Sequence, residues 1–171
     1  MPTYTKIKKH LNYLFINTTP LNETPTWARV MKSTEWTDTM NATTTTYDYI
    51  ADASPTDVVE QYSPEISVAL TAYVGEPVYN YVYELYKNQS TGSEINTQAL
   101  RVFQHTTAGV HDAQLSNVTV IIDSYNFASG IITFKVKQSG NITLGTATIS
   151  STDDDSGNTI YTPVFTSATP A

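Results

Sequence analysis

The sequence predicts a mainly β protein, a β-sandwich or partly closed barrel with one packed α-helix. Three observations lead there. Alternating apolar runs recur at intervals of about ten residues, with Gly, Pro, Asn or Asp turn signals between them. Only one stretch, opening at Pro77, carries apolar residues at helical spacing. The 171 residues suffice for one domain with a sizeable core, carrying a basic arm at about residues 1–10 and a short tail at about 151–171.

Taken in order, Lys9 to Thr18 reads as a strand in which Leu11, Tyr13 and Phe15 alternate with Asn12, Leu14 and Ile16. Apolar residues on both faces place such a strand inside a sandwich. Pro20 and Pro25 mark a loop, and Trp27, Val30 and Met31 form a short apolar segment of unassigned type. Thr43 to Thr46 is an uninterrupted threonine run, and branching at Cβ favours a strand from about Met40 to Ile50. Its faces are both polar, so one is expected to be wet and the other shared with a neighbour. Ala51 to Pro64, with Pro55, Asp57 and Glu60, reads as a long acidic connection, of a length that is usually functional or mobile.

From Glu65 to Val74 the residues Ile66, Val68, Leu70, Ala72 and Val74 alternate with Ser67, Thr71 and Tyr73, the pattern of a half-buried strand. Gly75-Glu76-Pro77 breaks it, and Pro77 suits the first turn of a helix because its missing N–H has no intrahelical partner there. Val78, Tyr81, Val82 and Leu85, flanked by Tyr79, Tyr83 and Tyr86, give that helix a wide apolar and aromatic face, with Gly92 as its stop. Further strands are expected at Asn96–Thr107, Leu115–Tyr125 and Ile131–Gln138, the last two joined at Ser129-Gly130. Gly140 and Gly145 then flank Ile142 and Leu144 before a short final strand at Ala147–Ser150. Asp153 to Asn158 makes a turn ahead of Ile160, Val164 and Phe165.

A net charge of −7 and a pI near 4.7 argue against a binder that neutralises nucleic-acid phosphates. The absence of cysteine excludes a disulfide scaffold and a Cys-ligated zinc site. Leu14-Phe15-Ile16 is too short for a signal-peptide core or a membrane span, so the chain is expected to stay in the cytoplasm where it is made, away from membranes. The six Asn-x-Ser/Thr sequons are then what a Thr- and Asn-rich chain produces by chance. Charge is segregated along the chain. Met1 to Lys32 holds Lys6, Lys8, Lys9, Arg29 and Lys32 against Glu23 alone, whereas Ser33 to Tyr86 has no Lys or Arg and nine acids. A solvated acidic surface explains this as well as an acidic face that meets a basic one between copies or lines a space that repels polyanions.

Chemistry-bearing clusters are few. His105, His111 and Asp112 lack a spacing that fixes them on one face, and satisfied or solvated histidines explain them better than a metal site. Asp153, Asp155 and Gly157 suggest a calcium loop, but the glycine arrives one residue early and Val164 stands where a bidentate Glu is needed. No nucleophile elbow, phosphate-cradling loop or zincin helix is present, so neither an enzyme nor a cofactor is expected. Tyr79, Tyr81, Tyr83 and Tyr86 would suit core or subunit packing; as a sugar-stacking platform they would instead make the chain a β-sandwich surface-binding module, an adhesin or decoration subunit.

The order of these features carries a resemblance. A strand ending near Ile16, the segment at Trp27 and a Thr-rich strand ending in Tyr47-Asp48-Tyr49-Ile50 come first. A loop closing on Gln61-Tyr62-Ser63-Pro64 follows, then the Ser67-Val68 strand, Tyr73-Val74-Gly75-Glu76-Pro77 and the aromatic helix. Over roughly Leu11 to Ile149 this resembles the major tail protein, or tail tube protein, of long-tailed phages of Gram-positive bacteria. The resemblance implies a virion structural protein, assembled in the host cytoplasm, whose sandwich subunits form hexameric rings that stack into a tube. Its partners would be further copies of itself and the tape-measure, initiator and terminator proteins of the tail. Genomic DNA would pass without specific binding along a wall that is commonly acidic. By position, Asn41–Tyr49 and Glu65–Tyr73 match the inner strands and Ala51–Pro64 the loop that meets the next ring. Asp48, Asp52, Asp57, Glu60 and Glu65 are then candidates for the lumen or for ring stacking.

Overall fold

The computed structural model describes residues 9–51, 53–103, 109–154 and 157–168. Asp52, His105 and Asp155 lie outside the described residues, as do Lys6, Lys8 and the rest of the stretch up to residue 8. Among the described residues, ten strands and one α-helix follow in order. They are β1 (Asn12–Asn17), β2 (Trp27–Arg29), β3 (Ser33–Thr39), β4 (Ala42–Tyr47), β5 (Thr56–Tyr62), β6 (Glu65–Thr71), α1 (Pro77–Asn88), β7 (Asn96–Phe103), β8 (His111–Asn126), β9 (Ile131–Asp153) and β10 (Thr159–Ser167).

The main sheet is antiparallel and runs β2-β1-β7-β8-β9-β6-β3, with β10 also on β9. β9, 23 residues long, makes this possible, because Ile131–Ala147 pairs with β8 along one edge while the other edge is divided. Ile131–Lys137 pairs with β6 and Gly145–Asp153 with β10. The sheet therefore splits into two flaps that cover opposite faces of β1 and β7, one core on each side, without closing a barrel. Leu14, Ile16 and Ala99 face one core with Ile66, Val68, Leu70, Val120, Phe134 and the helix residues Val78, Val82 and Leu85. Tyr13, Phe15, Leu100 and Val102 face the second core, beneath Tyr161 and Phe165 of β10. A strand in that position must be apolar on both faces, which is why β1 reads as it does.

Several sequence expectations hold. β6 alternates as the pattern requires, Ile66, Val68 and Leu70 being buried between half-buried neighbours. The β8–β9 hairpin turns at Ser129-Gly130, where the Asn126 side chain accepts from the amides of Ala128 at 3.0 Å and Ser129 at 3.1 Å. α1 begins at Pro77, capped by Glu76, whose carboxylate accepts the Tyr79 amide at 2.5 Å.

Others are corrected. The strand from Glu65 ends at Thr71 rather than Val74, whose side chain is fully exposed. The helix stops at Gln89, left-handed at φ 50°, and Gly92 instead opens a short 3-10 turn. Ser33–Thr39 is a strand that its polar sequence concealed, and the Trp27 segment is the edge strand β2. The supposed acidic loop Ala51–Pro64 contains β5, because Thr56–Tyr62 pairs with the threonine strand. The break expected around Gly140 is an irregularity within one continuous β9. Residues 159–167, read from sequence as part of a tail, form β10 and cover the second core.

Candidate interaction surface

β3 and β6 pair from Ser33↔Leu70 to Thr39↔Glu65, and β4 and β5 carry the same ribbon on from Ala42↔Tyr62 to Tyr47↔Thr56. Together they form one long hairpin with a bend. At the bend Asn41 is left-handed (φ 46°) and its side-chain amide donates to the Ser63 carbonyl at 3.1 Å. Asn is among the few residues that adopt this conformation at small cost. On the opposite strand Pro64 follows Ser63 and removes a ladder donor. Beyond the bend every residue of β4 and β5 is exposed. Six residues of extended chain carry the tip roughly 20 Å outward.

This arm bears most of the acids singled out from the sequence. Asp48 lies at its exposed tip. Asp57 accepts the Thr46 hydroxyl at 2.6 Å and Glu60 the Tyr47 hydroxyl at 2.9 Å, so both carboxylates are oriented across the ribbon. Glu65 is not on the arm. It opens β6 inside the sheet, where Lys135 of β9 reaches it at 3.1 Å, and this ion pair raises the Lys135 pKa. Between the acids the arm exposes apolar side chains that composition alone did not reveal: Tyr47 stacks on Tyr49 at 5.9 Å, while Val58, Val59 and Tyr62 are exposed and Ile50 entirely so. Val58 and Val59 are consecutive and point to opposite faces, so neither face of the ribbon is wholly polar.

The helix tyrosines are gathered within the one chain. Tyr79, Tyr83 and Tyr86 surround Tyr125 with ring centroids 5.7–6.5 Å apart, and Phe127 lies 4.4 Å from Tyr125. The Tyr79 and Tyr125 hydroxyls are 3.1 Å apart, and that hydrogen bond, with burial, holds Tyr79 above its ordinary pKa. Tyr81 leans on the same core, where burial raises its hydroxyl pKa. The face opposite is polar, with Asn80, Glu84, Lys87 and Asn88 exposed, so α1 is an ordinary amphipathic cover over the sheet.

A second surface lies where β1, β2, β3 and β7 approach one another. Arg29 is held with its guanidinium 3.9 Å from the Tyr13 ring centroid and 4.4 Å from that of Tyr161. Its Nη2 donates to the His10 carbonyl at 3.3 Å. Across the cleft Arg101 of β7 pairs with Asp38 of β3, tying the two layers together. Burial lowers the Arg101 pKa, and its Nε is buried without a protein partner. The cleft encloses about 650 Å³ and is also lined by Trp36, Met31 and Lys32. None of these ties was visible in sequence, since each joins residues distant along the chain. Among the described residues, no group of three or more His, Cys, Asp or Glu could hold a metal ion, and His111 is buried at the start of β8.

No family model matches the chain, and no curated protein does. Among solved structures the chain is similar to the anti-feeding prophage cap, a tube-terminating cap, with a TM-score of 0.53 and 12% identity over 86% of this chain and 95% of that one. A chain of the 6-fold symmetrised anti-feeding prophage baseplate aligns with a TM-score of 0.46 and 7% identity over 83% of this chain and 97% of that one. At 12% identity the likeness to the cap is one of fold, and the two chains share it over nearly their whole lengths.

Proposed function

We propose that this chain is a structural protein of a phage-like tail, a tube-type subunit that self-assembles into hexameric rings stacked around a channel for DNA. The observation that carries the reading is the bent hairpin arm. An isolated two-stranded ribbon is marginal in water, yet this one stands roughly 20 Å clear of the body with tyrosine and valine on its surface. Such a ribbon gains its stability from a neighbour, and the shared fold with a tube-terminating cap supplies the class of neighbour. In this reading Asp48, Asp57 and Glu60 contribute to ring stacking or the lumen. Asp52 belongs to the same stretch by sequence, and Glu65 serves the sheet. The tape-measure, initiator and terminator proteins of the tail are its other partners. Major tail proteins of Gram-positive phages are a narrower class than the fold likeness supports, and the proposal is made for tail tubes generally.

Negative-stain microscopy and sedimentation of the purified chain test this reading. Rings and hollow tubes are expected at high protein concentration. Single rings that never stack would make the chain a cap, and monomers at every concentration and salt would overturn the proposal.

A further inference from the structure

We infer that the tip of the arm in one copy seats in the Arg29–Lys32 cleft of the next, a head-to-tail contact that rests on the self-assembly proposed above. Charge complementarity carries the inference. The chain between Ser33 and Tyr86 is free of Lys and Arg, and the arm presents Asp48, Asp57 and Glu60. Among the described residues the other cations are mostly engaged: Arg101 with Asp38, Lys135 with Glu65, and Lys87 with Glu84. Arg29 and Lys32 share the cleft with Glu35 and Asp38, but Asp38 is taken by Arg101 and neither Arg29 nor Lys32 has a carboxylate within ion-pair distance among the described residues. Tyrosine rings instead hold Arg29 in place, so its charge is oriented in advance.

Shape agrees with charge. The cleft floor is aromatic, with Trp36 and Tyr13, and its volume of about 650 Å³ admits several side chains. The tip offers Tyr49 and the fully exposed Ile50 next to Asp48. The chain's own arm does not fill the cleft, since every residue of β4 and β5 is exposed and none of them lines it. The donor must be a second copy. Tip and cleft are different patches, so the contact is heterologous, and repeated contacts close into rings or extend as filaments.

The natural sequence has no cysteine, which gives a clean crosslinking test. In the full chain, Ile50→Cys at the tip is combined with Thr34→Cys at the cleft, both exposed positions. Under mild oxidation at assembling concentrations the double variant is expected to form a ladder of dimers, trimers and higher species on a non-reducing gel. Each single variant should stop at dimers. Asp48→Lys and Lys32→Glu should each weaken assembly by tenfold or more in concentration, and combining them should restore it. Assembly of the parent without a ladder, or charge variants that assemble as the parent does, would overturn this contact and leave the proposed function standing. A parent that never assembles would overturn both.

Discussion

Gly145→Ala should unseat β10. Gly145 lies where β9 pairs with both β8 and β10, and its partner across the outer ladder is Ser167. A Cβ built there would sit 2.1 Å from the Thr166 carbonyl oxygen and 2.8 Å from two carbons of the Phe165 ring. Comfortable non-bonded separations are about 3.5 Å, so the backbone of β10 must retreat by more than about 1 Å or its end must detach. Overpacking of this kind costs about 1–3 kcal/mol. Losing the last ladder bonds adds about 1 kcal/mol each. Phe165 packs on the second core, so detachment also uncovers apolar surface. With one or two bonds lost, a total near 2–5 kcal/mol corresponds to a fall of roughly 4–20 °C in melting temperature for a chain of this size. Urea denaturation with amide exchange on β10 provides the assay. Gly140→Ala is the control, since nothing lies within 4 Å of its added Cβ and only its φ of +87° opposes substitution. A Gly145→Ala protein within about 0.5 kcal/mol of the parent, with β10 amides equally protected, would refute the argument.

Three other outcomes are expected. Glu76 has its pKa raised by burial, against the lowering effect of the Tyr79 and Val78 amides. The stability it contributes is therefore present below the unfolded carboxyl value and is lost as pH rises through the higher folded one. Glu76→Gln keeps an acceptor for the helix N-terminus and should flatten the decline in melting temperature with pH across that window. Asp38→Asn leaves the largely buried Arg101 guanidinium uncompensated; breaking a buried pair costs about 3–5 kcal/mol. Because the Asp38 side chain is 30% exposed, about 2 kcal/mol by urea denaturation is the expectation here. Replacing Asp38 and Arg101 together by leucine should cost less than Asp38→Asn alone, and a larger cost would contradict the account. Gln89→Gly relieves a left-handed C-cap and should raise stability by about 0.5–1 kcal/mol, measured in the same titration.

Burial decides what could be read from the sequence. β6 was legible because one of its faces is buried, and the pleat then writes Ile66, Val68 and Leu70 into alternate positions. β1 was legible as an interior strand because both its faces meet a core. β4 and β5 bury neither face within the monomer, so no period was imposed on Thr56–Tyr62, and its acids and Pro55 read as a loop. β3 left only Trp36 as a trace of the layer it covers. Glycines misled in two ways. Gly145 sits inside a strand because β10 passes too close for a side chain, and Gly140 occupies the irregularity where β9 outruns β8 between Val118 and Ser116. The acids were singled out by position and charge, and Asp48, Asp57 and Glu60 lie on the arm. The cleft was missed because Arg29 with Tyr161 and Arg101 with Asp38 are long-range pairings with no local pattern.

The shared strand β9 has a mechanical consequence. At roughly 3.3 Å per residue its 23 residues span about 75 Å, and they belong to both cores. A pull along this strand loads the β8 ladder, the β6 ladder and the β10 ladder together in shear. Their bonds must yield many at a time, whereas a strand peeled from one end gives way bond by bond. Neither flap can be drawn off β1 and β7 by axial tension without straining the other. A chain built around such a spine resists stretching along β9 far better than peeling at its edges.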